Sequence, residues 1–147
     1  MIALRLVHLI ENHSDELATG LLKKFRTFPH THELQKVPAG ELRDRSYEIY
    51  RNLTDWLLHT KEEEIERRYQ QIGARRAMQD VPLCDVCWAI VLTKEHLWSF
   101  LQEQDLLNSP VEMFGELELL RLLDQFFDKA LCYATEGYEQ VRSAKVA

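Results

Sequence analysis

The sequence predicts an all-α, single-domain bundle of about five main helices. Three observations carry that expectation. Apolar residues recur every three to four positions over long stretches, as one buried face of a helix requires. Glycine (5) and proline (4) are scarce among 147 residues, so the chain has few turns and its elements must be long. No stretch alternates apolar and polar residues with β-branched enrichment, so no strand is expected. Periodicity does not separate a bundle from globin-like packing of the same helices.

The first helix is expected over about Ile2 to Phe25, where Leu6, Ile10, His13, Leu17, Leu21 and Phe25 share a face. Pro29, Pro38 and Gly40 then make the stretch from Phe28 a loop with one short turn. A second helix, about Glu41 to His59, carries Leu42, Tyr50, Leu53 and Trp56 on its apolar side. Thr60 has the form of an N-cap for a third helix, about Lys61 to Met78, because Glu63 stands three residues on. Glu62, Glu63 and Glu64 suit the positive end of that helix dipole. Asp80-Val81-Pro82 ends it, since proline lacks a donor and restricts its predecessor. The fourth helix spans about Leu83 to Asp105, with Val86, Ile90, Thr93, Leu97 and Phe100 as its stripe. Ser109-Pro110-Val111-Glu112 combines a cap, a proline at the first helical position and an acid three residues after the cap. The fifth helix follows towards Val141 through Phe114, Leu117, Leu120, Leu123, Phe127, Ala134 and Tyr138. Gly115 and Gly137 are expected to weaken it only locally.

Composition narrows the function. Hydrophobic residues make up 46% and charged residues 29%, a globular balance. The net charge of −6 repels phosphate backbones, so nucleic acid is not an expected partner. No apolar run reaches membrane-spanning length, and the first ten residues lack the pattern of a signal peptide. Three cysteines, Cys84, Cys87 and Cys132, do not make a secreted disulfide framework. The expectation is a cytoplasmic protein with reduced thiols, no cofactor and no metal.

Few residues point to chemistry. Cys84 and Cys87 form a CxxC at a helix start, where a thiol pKa can fall. A thiol redox switch is therefore one alternative, although the strand that precedes redox CxxC motifs is missing and a zinc site would need further ligands. His30-Thr31-His32 sits in the expected loop, and a lone HxH is a weak metal signal. His13 and His96 lie on or near apolar helix faces, where an axial haem ligand would stand in a globin-like pocket. Half-buried histidines are commoner than haem ligands, so a small-ligand or haem sensor, with its pocket between the third, fourth and fifth helices, stays an alternative.

The least ordinary feature is two basic doublets, Arg67-Arg68 and Arg75-Arg76. A guanidinium aimed into the bundle from there needs a carboxylate partner, with Asp44, Glu48, Asp55 and Asp85 as candidates. Arg75 and Arg76 are neighbours, so only one of them can be buried. Trp88 and Trp98 point to different sides of the fourth helix, and Phe126 and Phe127 diverge on the fifth. Helices with aromatics on two sides pack against two neighbours, and the second can be another subunit, so a homodimer is expected. Arg68, Arg75, Arg76, Trp88, His96 and Trp98 form the candidate ligand or partner surface. No catalytic residue stands out.

Several strings together resemble a known family. They are His8-Leu9-Ile10-Glu11-Asn12-His13 with Asp15-Glu16-Leu17, and Tyr50-Arg51-Asn52-Leu53-Thr54-Asp55-Trp56-Leu57. Gly73-Ala74-Arg75-Arg76 through Val81-Pro82-Leu83, Leu92-Thr93-Lys94-Glu95-His96-Leu97-Trp98, Phe126-Phe127-Asp128-Lys129-Ala130 and Gly137-Tyr138 complete the set. The chain resembles the N-terminal domain of RsbT co-antagonist proteins of the RsbR/RsbRD type, the sensory end of bacterial stressosome components. The resemblance implies a helical, often dimeric input domain without enzymatic activity, usually followed by a STAS or other output domain. It also implies protein partners in a signalling pathway, and it carries over no ligand-binding residues.

Overall fold

The computed structural model describes residues 4–103 and 110–146, and among them every regular element is helical. Six α-helices follow in order: α1 (Leu4–Asn12), α2 (Ser14–Thr27), α3 (Ala39–Arg51), α4 (Glu62–Met78), α5 (Leu83–Glu103) and α6 (Pro110–Val146). A 3₁₀ segment (Pro29–Lys36) joins α2 to α3, and a π-helical turn (Asp55–His59) joins α3 to α4. The all-α class holds, and the boundaries differ from expectation in instructive ways.

The expected first helix is two. His13 leaves helical geometry (φ −108°, ψ 15°), and its Nδ1 lies 2.8 Å from the Leu9 carbonyl oxygen. The bend lets both pieces press one apolar face inward, with Leu6, Val7 and Ile10 buried before it and Leu17, Leu21 and Phe25 after it. The expected loop is helical as well. Thr31 is buried and donates to the Phe25 carbonyl at 2.7 Å, which folds the 3₁₀ segment back on α2.

The second expected helix begins two residues early, at Ala39 behind Pro38, and gives way to the π-turn. Thr60 does not cap α4. Its hydroxyl donates backward to the Asp55 carbonyl at 2.7 Å, so it is spent on closing the turn. Lys61 takes the cap position without a side-chain bond, and Glu62, Glu63 and Glu64 supply the negative charge at the dipole. The break at Asp80-Val81-Pro82 is as expected. Asp80 turns to φ 59°, and the buried Tyr138 hydroxyl pins the corner by donating to the Val81 carbonyl at 2.7 Å. The proposed Ser109 cap lies outside the described residues.

Helix α6 has 37 residues, about 55 Å at the usual rise. Its pairing with α4 is the most extensive helix pairing among the described residues. Glu62 meets Lys129 and Tyr133, Gly73 meets Ala134, and Val81 meets Tyr138, so the two helices advance in the same direction. Gly137 is not a local weakness. A Cβ there would fall 1.9 Å from the Gln70 carbonyl oxygen, and the glycine is what admits that backbone. Phe114 and Leu117 depart from the expected buried stripe, at 74% and 61% exposed. They keep its phase, but the helices that cover Leu123, Phe126 and Phe127 leave these two side chains uncovered.

One cluster of buried apolar side chains runs from Leu6 in α1 to Tyr138 in α6. Tyr50 is fully buried within it and donates to the Thr93 carbonyl at 2.9 Å, tying α3 to α5. Phe126 and Phe127 are both buried, with ring centroids 5.3 Å apart. Trp56 and Tyr69 receive Phe126, so its neighbour comes from the same chain.

Candidate ligand cleft and partner surface

Helices α3 and α4 face each other across an ion-paired cleft. Glu41 and Glu48 stand seven residues apart on α3, and Arg68 and Arg75 stand seven apart on α4. Seven residues are close to two turns, so each pair lies on one face. Run antiparallel, they meet: Arg68 reaches Glu48 at 2.5 Å, and Arg75 donates to Glu41 through two nitrogens, one at 3.1 Å. Each carboxylate takes a second arginine. Arg45 contacts Glu48 at 3.2 Å, and Arg76 contacts Glu41 at 2.9 Å. Gln79 completes the group, accepting from Arg76 at 2.9 Å and donating to Glu41 at 3.2 Å.

The two arginines of the second doublet are unlike. The Arg76 side chain is 6% exposed and that of Arg75 is 56% exposed. Successive helical residues diverge by about 100°, so one points between the helices and the other out. The buried member is thus Arg76, and its partner is Glu41, which was not among the expected carboxylates. Of those, Glu48 does take Arg68, Asp44 lies 3.9 Å from Arg43, and Asp85 accepts the Glu33 backbone N–H at 3.0 Å. Hydrogen bonding from Arg75, opposed by burial and reinforced by Arg76, holds the Glu41 carboxyl down at about 2. Burial lowers the Arg76 pKa, and Glu41 pulls it back up.

Behind these pairs lies a small apolar cavity of about 70 Å³ between α3, α4 and α5. Ile49, Ile72, Val86 and Ile90 line it, and Arg45 and Arg76 belong to the same wall. Tyr69 closes one side, and burial pushes its phenol well above the usual range. A larger pocket of about 400 Å³ opens between α2, the 3₁₀ segment and the start of α3. Phe25, Leu34 and Leu42 line both.

The remaining candidates are elsewhere. Trp88 packs on the 3₁₀ segment, stacked on His30 at 4.9 Å and edge-on to Phe28 at 5.4 Å. His96 faces α2, with Nε2 3.0 Å from the Leu17 carbonyl oxygen and Nδ1 buried without a partner. Burial, then the Lys24 charge, lowers its pKa. Trp98 is half-buried and stands outside the core cluster and the aromatic network. The six residues therefore occupy separate places, and only the three arginines share one. The cavity also lies between α3, α4 and α5, where the expected pocket replaced α3 with the last helix. His13 packs its ring on Phe100 at 5.4 Å, and neither residue lines the cavity. Cys84 is an exposed free thiol, and Cys87 has its Sγ 3.8 Å from the Thr135 hydroxyl. Among the described residues, no three His, Cys, Asp or Glu side chains gather as a metal site.

Sequence reasoning missed Glu41, Arg45 and Gln79. The signal was the equal seven-residue spacing of Glu41/Glu48 and Arg68/Arg75, legible once the two helices are set antiparallel.

The fold and cleft define an all-helical module with ion pairs tying its helices together. Its family follows from sequence: residues 15–146 match the model of the RsbT co-antagonist protein rsbRD N-terminal domain, and the chain belongs to that family. No curated protein and no solved structure matches it. No helix among the described residues is long and apolar enough to cross a membrane.

Proposed function

We propose that this chain is a non-enzymatic sensory input module of a stressosome-type regulator, working by contact with protein partners in the cytoplasm. The family match over residues 15–146 carries the reading. The exposed Phe114 and Leu117 of α6 support it by offering a packing surface. A second copy of the chain is the first partner for that surface, and the module is then a homodimer of single domains. The test is a chimera in which this chain replaces the input domain of a stressosome protein and the STAS output domain is kept. Assembly of the chimera into the large complex is the expected result. A chimera that folds yet stays outside the complex overturns the reading.

A small-ligand sensor remains the second reading, favoured by the cavity between α3, α4 and α5. Its haem version has a direct check, since a Soret band on haem addition would establish it and a flat spectrum would remove it.

A further inference from the structure

We propose that the cleft between α3, α4 and α5 binds a small monocarboxylate, its head between Arg45 and Arg76 and its short apolar tail among Ile49, Ile72 and Ile90. Charge is the first argument. Four guanidinium groups, of Arg45, Arg68, Arg75 and Arg76, share the two carboxylates of Glu41 and Glu48. The group is therefore left with two positive charges in excess, in a chain whose net charge is −6. Arg76 is the most exacting member, because a guanidinium taken out of water needs a counter-ion and it divides one with Arg75. Each guanidinium has five donors in a planar fork, so each keeps spare donors after its glutamate bond. A further carboxylate is the complementary group.

The walls are the second argument. Apart from Arg45, Ser46, Arg76 and the Tyr69 and Thr93 hydroxyls, the lining is hydrocarbon. The Ser46 hydroxyl is already used on the Leu42 carbonyl and that of Thr93 on the Ala89 carbonyl. A bare inorganic anion would leave that hydrocarbon uncovered, and a neutral apolar molecule would leave the excess charge unmatched. A volume of about 70 Å³ is half of the roughly 150 Å³ that takes benzene. The tail is then on the order of three to four carbons. The proposal deepens the input-domain reading by naming a signal. It is measured on the isolated chain, whereas that reading is tested on complex assembly, so either can fail alone.

The experiment is titration of the 147-residue chain with acetate, butyrate, pentanoate, octanoate and 1-pentanol, followed by calorimetry and amide chemical shifts. Butyrate and pentanoate are expected to bind best, with shifts centred on Ile49, Ile72 and Ile90. Acetate, octanoate and pentanol should each bind at least roughly tenfold more weakly. Arg45→Gln, whose side chain is partly exposed, should weaken pentanoate by about tenfold without unfolding the chain. Arg43→Gln, outside the cleft, should leave it unchanged. Pentanol or acetate binding as tightly as pentanoate, an unaffected Arg45→Gln, shifts centred elsewhere, or no acid bound at roughly 20 mM would each overturn the proposal.

Discussion

A Cβ built on Gly73 falls 1.8 Å from the carbonyl oxygen of Ala134, so α4 and α6 touch backbone to backbone where they cross. Gly137 repeats the contact from the other side, against Gln70. Gly73→Ala and Gly137→Ala should each destabilise the fold by roughly 1–3 kcal/mol or more, because the helices must part. Helix propensity alone would give the opposite sign, a gain of about 1 kcal/mol. Gly40→Ala, with nothing within 4 Å, is the control and should be neutral or slightly stabilising. Urea denaturation of the three variants decides it, and a stable Gly73→Ala would refute the close crossing.

Arg75 and Arg76 are adjacent and share Glu41, yet their losses should differ. Arg75→Ala removes an exposed, solvent-screened partner and should leave the urea midpoint almost unchanged. Arg76→Ala removes a buried one and should cost about 2–4 kcal/mol, moderated because Arg75 still covers Glu41. Equal losses in chemical denaturation would contradict the burial of Arg76 alone.

The Glu41 carboxyl titrates at about 2 in the folded chain against an ordinary value of 4.5. A depressed carboxylate contributes its full stability above the unfolded value and loses it as pH falls towards the folded one. Stability should therefore decline between pH of about 4.5 and about 2 through this group. Glu41→Gln should be less stable at neutral pH and show a shallower decline over that window. Urea midpoints at a series of pH values measure both.

Phe114 and Leu117 are exposed, so Phe114→Ser with Leu117→Ser should leave thermal stability almost unchanged, within about 0.5 kcal/mol. If the start of α6 is the dimer surface, sedimentation of the double variant should shift to monomer. A wild-type chain that sediments only as monomer at high micromolar concentration removes the dimer itself.

Trp98→Ala has an expected cost of roughly 3–5 kcal/mol if the ring is core. The ring stands outside the core cluster, so the loss should fall nearer 1 kcal/mol. Thermal denaturation measures it, and the full core value would show that the ring packs after all.

The sequence by itself determined the helical class, the break at Pro82, the start of α6 at Pro110 and most of the core positions. These depend on local periodicity and on proline's missing donor, which act within a few residues. It also determined that no more than one arginine of the second doublet could turn inward, since successive helical residues diverge by about 100°. Only the tertiary structure decided which one, and that Glu41 answers it from α3. The bend at His13, the backward bond of Thr60 and the role of Gly73 and Gly137 were likewise settled there. The Arg76–Glu41 pair and the two glycines depend on helices distant in the chain. The bonds of His13 and Thr60 span only four and five residues and replace the regular helix and cap that periodicity alone predicts.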